Sequence, residues 1–115
     1  MYKILHWYVD GKISRAKTQV GGVFKLEADY RPTEVYLNAR IVGDGTIPTQ
    51  IDILTDGVSI FDTKACLING QTDKTWTTIK DGIMREGSIV RLDISQVTDV
   101  TNCHDLTVEL TTETV

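Results

Sequence analysis

Histidine, cysteine and proline are scarce in this chain, two of each among 115 residues, and the scarcity removes several function classes at once. Nucleophilic catalysis needs a Ser or Cys beside a base that a third group orients. The two histidines, His6 and His104, offer few such bases, and His6 lies inside a strand-like pattern. Ser14, Ser59, Ser88 and Ser95 stand in no Gly-x-Ser-x-Gly context, the turn that exposes a hydrolase nucleophile. Cys103-His104-Asp105 gathers metal-ligand types in one run. It lacks the second, separated pair from which structural zinc sites are built, and reads as a solvated loop before a strand. Calcium loops, Walker loops and dinucleotide fingerprints are absent. Eleven Asp and five Glu supply too many chance pairs to single out a catalytic dyad. The expectation is a protein without catalytic residues, metal or cofactor: not an enzyme.

Long apolar runs and basic blocks are missing too. Nothing approaches the roughly 20 apolar residues of a spanning helix, and His6 and Asp10 interrupt any signal-peptide-like start. Net charge is -4 with pI about 5.0, without the clustered Lys/Arg that neutralises phosphates. Neither membrane nor nucleic acid is expected as a partner, and synthesis and folding are expected in the cytoplasm. There Cys66 and Cys103 are read as reduced, partly buried small hydrophobes, with a disulfide between them left open.

What is abundant is Thr, Val and Ile, together 39 of 115 residues. These side chains are stiff at χ1 and pack well on a pleated surface. Val90, Leu92 and Ile94 alternate with Arg91, Asp93 and Ser95, and Leu106, Val108 and Leu110 alternate with Thr107, Glu109 and Thr111. Period two puts one apolar and one wet face on each run, the pattern of antiparallel sheets packed on one side. Similar runs occur at Leu5–Val9, Phe24–Ala28 and Val35–Ile41, with shorter ones at Ile51–Leu54, Val58–Phe61, Ala65–Ile68 and Trp76–Ile79. Five Asx-Gly pairs punctuate them: Asp10-Gly11, Asp44-Gly45, Asp56-Gly57, Asn69-Gly70 and Asp81-Gly82. Such pairs suit type I′ hairpin turns. The stretch Ile13–Val20 reads either as the return strand of a hairpin through Asp10-Gly11 or as a loop. About eight short strands in one domain, residues 1–115, predict an all-β, two-sheet antiparallel sandwich, jelly-roll-like, with at most one helical turn.

Aromatic residues are the remaining functional lead. Trp7 shares a strand face with Leu5 and Val9 and is expected in the core. Tyr36 shares one with Glu34 and Arg40 and is expected outside. Trp76, in a Thr-rich segment after Lys74, fits either side. Tyr36, Arg40 and Trp76 are therefore the candidate binding residues, for a sugar or a protein surface.

The order His6-Trp7-Tyr8-Val9-Asp10-Gly11-Lys12, Gly22-Val23-Phe24, then a Pro32 turn before Val35-Tyr36-Leu37, together with Gly87-Ser88-Ile89-Val90-Arg91-Leu92-Asp93-Ile94-Ser95-Gln96-Val97 and Asp105-Leu106-Thr107-Val108, resembles a small β-sandwich module of tailed-bacteriophage virion proteins. Members of that family often read Gly-Asp-x-Leu-x-Leu-Asp-Val-Asp-Gln-Val-Gly there. Here Ser88 and Ser95 replace acidic positions and Thr98 replaces the final glycine, changes that touch turns and leave the strands intact. The resemblance spans nearly the whole chain and transfers no catalytic residue. It implies a structural virion protein made in the host cytoplasm. A capsid decoration (cement) protein docked on the major capsid protein is foremost. A tail fibre or tail accessory component, or a carbohydrate-binding module for host surfaces, is the alternative. A symmetric homo-oligomer, dimer or trimer, is implied as well.

Overall fold

The alternating runs become strands, and their apolar rows face one another. The computed structural model describes residues 2–68 and 70–115. Their regular elements are nine strands: β1 (Tyr2–Ile13), β2 (Lys17–Lys25), β3 (Tyr30–Ile41), β4 (Thr49–Thr55), β5 (Val58–Ser59), β6 (Cys66–Leu67), β7 (Asp73–Trp76), β8 (Ile89–Gln96) and β9 (Cys103–Thr114). One antiparallel sheet has the order β1-β9-β3-β7; the other has β2-β8-β4-β5, with β6 also paired to β4. The expected all-β sandwich is the observed architecture, and no helix forms among the described residues. Between the sheets lie Leu5 and Trp7, Val35, Leu37 and Ala39, Ile51 and Ile53, Val90, Leu92 and Ile94, and Leu106, Val108 and Leu110, all buried. At about 1.5–3 kcal/mol for each fully buried aliphatic side chain, these rows are the main term opposing chain entropy.

The turn chemistry is only partly as expected. Asp56-Gly57 does make the tight β4–β5 hairpin, with both residues at positive φ (50° and 82°). Asp10-Gly11 does not turn the chain. It is a bulge inside β1, where the register with β9 jumps between Val9 and Lys12. Gly11 at φ 75° absorbs the extra residue and lets the strand run on to Ile13. The chain then crosses to the other sheet, so β2 is not a hairpin partner of β1. Ile41, last in its apolar row, is 43% exposed because the alternation breaks as β3 ends, and Val42 takes the core place instead. Asn69 of the fourth Asx-Gly pair lies outside the described residues.

Two devices finish the ends of the sandwich. At one end, the segment between β3 and β4 is tied to the segment between β8 and β9. The Thr46 N–H (2.7 Å), Thr46 hydroxyl (2.6 Å) and Ile47 N–H (3.3 Å) all donate to the Asp99 carboxylate. In return the Val100 and Thr101 N–H groups donate to the Asp44 carbonyl at 3.1 and 3.0 Å. These bonds hold Asp99 below the usual carboxylate range, the Thr46 side chain contributing most. Near the other end, Lys3 of the edge strand β1 donates to Glu27 at 2.6 Å, and the buried Tyr30 hydroxyl donates to the same carboxylate. A charge at such a position discourages further strand addition.

The Lys3 bond, then the Tyr30 bond, bring Glu27 down from 4.5 to about 2. A carboxyl with a depressed folded pKa adds stability above its unfolded pKa and loses it as pH falls through the folded one. The thermal midpoint of Glu27→Gln should therefore drop less between about pH 5 and about pH 2 than that of the parent protein. Calorimetry across that window measures it.

Cys66 is half-buried, Cys103 is buried, and both are free thiols. Burial pushes Cys103 up to about 11 and raises Cys66 as well. Because the thiolate is the reactive form, iodoacetamide should label Cys66 first and reach Cys103 only on unfolding. Timed labelling read by mass spectrometry distinguishes the two.

Candidate interaction surface

Strand parity decides where each candidate residue points. Along β3, Val35, Leu37 and Ala39 face the core, so Tyr36, Asn38 and Arg40 face outward in one row. Tyr36 lies opposite Glu109 on β9 and Thr75 on β7, and the Asn38 amide is 3.5 Å from its hydroxyl. Arg40 donates through Nε to Asp105 Oδ2 at 2.5 Å. Asp105 takes a second donor, the Gly11 N–H, at 2.6 Å. The β1 bulge thus serves to aim that amide across the sheet.

Arg40 is the main reason that Asp105 sits below the usual carboxylate range, and Asp105 in turn raises Arg40. Tyr8, on the same outer face and 49% exposed, has its hydroxyl 3.4 Å from Asp10 Oδ1. Desolvation first, then the charges of Asp105 and Asp10, push that hydroxyl upward. Tyr8, Tyr36, Asn38, Arg40 and Asp105 therefore form a wet, open face of rings and hydrogen-bonding groups. It suits shallow contact with another surface.

Trp76 does not belong to that face. It pairs with the fully buried Val35 and packs against the core, with the Lys74 ammonium 5.9 Å from its ring centroid. Its indole N–H is buried with no hydrogen-bond partner among the described residues. The structure thus brings Tyr36 and Arg40 together and turns Trp76 inward. Trp7 is in the core as expected, 1% exposed. The Cys103-His104-Asp105 run is divided by a break in strand alternation at Asp105 (φ 55°), which leaves Cys103 in the core and Asp105 bound to Arg40. Among the described residues no group of three or more His, Cys, Asp or Glu side chains is placed to hold a metal ion.

A second feature lies on the outer face of the other sheet. Asp52 on β4 and Asp93 on β8 are directly opposite one another and both buried. Asp52 accepts from the Ser59 hydroxyl at 2.5 Å. Asp93 accepts from the Gln19 N–H at 2.8 Å and has Arg91 Nε 3.2 Å away. Like charges directly opposite on neighbouring strands repel, and these donors offset that repulsion. The pair borders a cavity of about 480 Å³ with Lys17 and Lys64 on its walls. Ile51-Asp52-Ile53 and Leu92-Asp93-Ile94 each announce an outward aspartate. Their meeting depends on register, which strand patterns do not encode.

No family model matches the chain, and no curated protein matches it. Among solved structures it is similar to a chain described as the acidic stable capsid structure of Helicobacter pylori bacteriophage KHP30. That likeness has 14% identity and a TM-score of 0.45, over 97% of this chain and 92% of the other.

Proposed function

We propose that this chain is a non-enzymatic structural component of a bacteriophage virion, a decoration (cement) protein that docks on the capsid lattice. The observation that carries the reading is strand order. We read β1-β9-β3-β7 facing β2-β8-β4-β5 as a double-sheet, jelly-roll-like order, an architecture that viral capsid and lectin domains use. The sequence resemblance to tailed-phage virion modules supports the capsid branch of that class. The Tyr36–Arg40 face is the docking surface on this reading, since a rigid sheet presents its side chains at low entropic cost.

Quantitative mass spectrometry of purified particles tests it, with copy number referred to the major capsid protein. A fixed lattice fraction is the expected result. A handful of copies per particle would move the protein to the tail, and absence from particles would overturn the virion reading.

The outward tyrosines favour one alternative, a carbohydrate-binding module for host surfaces. On that reading a glycan array gives a signal that Tyr36→Ala removes, whereas Trp76→Ala acts through stability because the ring is turned inward.

A further inference from the structure

The first half of the edge strand β2 is poorly matched to its neighbour. β2 advances six residues, from Lys17 to Val23, while β8 advances only three, from Ile94 to Arg91, so the register slips twice. Each slip is a bulge that breaks the ladder locally. Gln19, Gly21 and Gly22 all stand at positive φ, 54°, 71° and 92°. Glutamine resists that region, because its Cβ crowds the following carbonyl oxygen. Between Lys17 and Gly22 only Val20 packs against the core, and it is only partly buried.

The segment is bounded by firmer structure. Ile13 before it is buried, the connecting Ser14–Ala16 is exposed, and pairing with β8 is regular again from Val23 to Lys25. Two side chains from outside β2 fasten it. The Gln19 N–H donates to the Asp93 carboxylate at 2.8 Å, and the Trp7 Nε1–H donates to the Gly22 carbonyl at 3.3 Å. A Cβ on Gly21 would stand 3.5 Å from Trp7 Cβ and Cδ1, so the segment lies directly on that side chain.

We propose that Lys17–Gly22 is a strap that opens as a unit while the rest of the sandwich stays folded. Backbone strain and the shortage of buried side chains lower the cost of opening. Asp93 and Trp7 are its two latches. Opening bares the edge of β8 and one side of Trp7. An unpaired strand edge is a template for an extended segment of another chain, so the strap decides whether this sheet is closed or receptive. The proposal goes beyond the virion reading and does not depend on it.

Native-state hydrogen exchange, followed by NMR on the intact chain at urea concentrations below unfolding, tests it. The Gln19 amide and the Trp7 indole N–H should exchange at least about a hundredfold faster than buried amides of β9, with little dependence on urea. Val35→Ala, on β3, should accelerate the β9 amides and leave the two latch protons unchanged, because the strap opens without the core. Asp93→Asn keeps the acceptor oxygen and removes its charge, which weakens the Gln19 bond. It should accelerate the Gln19 amide by about tenfold relative to the β9 amides. Latch protons that exchange only as slowly as β9, or that follow it in Val35→Ala, would overturn the proposal. So would an Asp93→Asn chain in which Gln19 gains no more than β9, since Asp93 would then be no latch.

Discussion

Replacing Trp7 with alanine should lower the unfolding free energy by about 3–5 kcal/mol, among the largest losses a single substitution produces in this core. Trp7 is fully buried, and its ring meets Phe24 of β2 edge-on at 5.2 Å and 81°. Its Nε1–H donates to the Gly22 carbonyl at 3.3 Å. One side chain thus joins the edge strand of each sheet, and its loss leaves both a cavity and an orphaned carbonyl. Trp7→Phe keeps most of the packing and should cost about 1–2 kcal/mol. Urea unfolding reads both values. A shift in midpoint at unchanged slope is expected, since the unfolded surface is nearly the same. A Trp7→Ala loss below about 1 kcal/mol would mean that the sheets hold together without this bridge.

Gly43→Ala should cost about 2–4 kcal/mol from two separate sources. Gly43 is at φ 88°, which an L side chain resists. A Cβ there would also stand 2.4 Å from the Thr101 carbonyl oxygen and 2.8 Å from the Asn102 carbonyl carbon. Both are backbone atoms of the tied segment, so relief requires the two segments to part. Gly57→Ala separates the sources, because Gly57 has φ 82° but nothing within 4 Å of its Cβ position. Strain alone should cost about 1–2 kcal/mol at Gly57, and the excess at Gly43 measures the close approach. Faster amide exchange at Thr46 and Ile47 should accompany Gly43→Ala and be absent from Gly57→Ala.

Much of the architecture was legible because burial and period two go together. Val90, Leu92 and Ile94, and Leu106, Val108 and Leu110, are inward as their alternation predicts, and Tyr36 and Arg40 are outward. Local signals failed where the deciding partner is distant in sequence. Asp10-Gly11 has the chemistry of a turn, yet pairing of both flanking segments with β9 makes it a bulge. Asp44-Gly45 and Asp99 look like ordinary turn residues until the fold brings them together. Trp76 was undecidable because β7 is only four residues long, too short for a pattern. The Tyr36–Arg40 row was readable, whereas the Asp105 and Gly11 contacts that fix Arg40 span 65 and 94 residues.

The place of β9 has a consequence for biosynthesis. It is an inner strand of its sheet, bonded to β1 on one side and β3 on the other. On the ribosome, β1 and β3 emerge long before the strand that joins them. Leu5, Trp7, Val35 and Leu37 must wait in an unfinished sheet, while β2, β4 and β8 already have one another. Non-local pairing of this kind is slow to form and exposed to aggregation while it is pending. This sandwich therefore cannot close until β9 has emerged, and a nascent chain stalled before Cys103 should be a better chaperone client than one that includes β9.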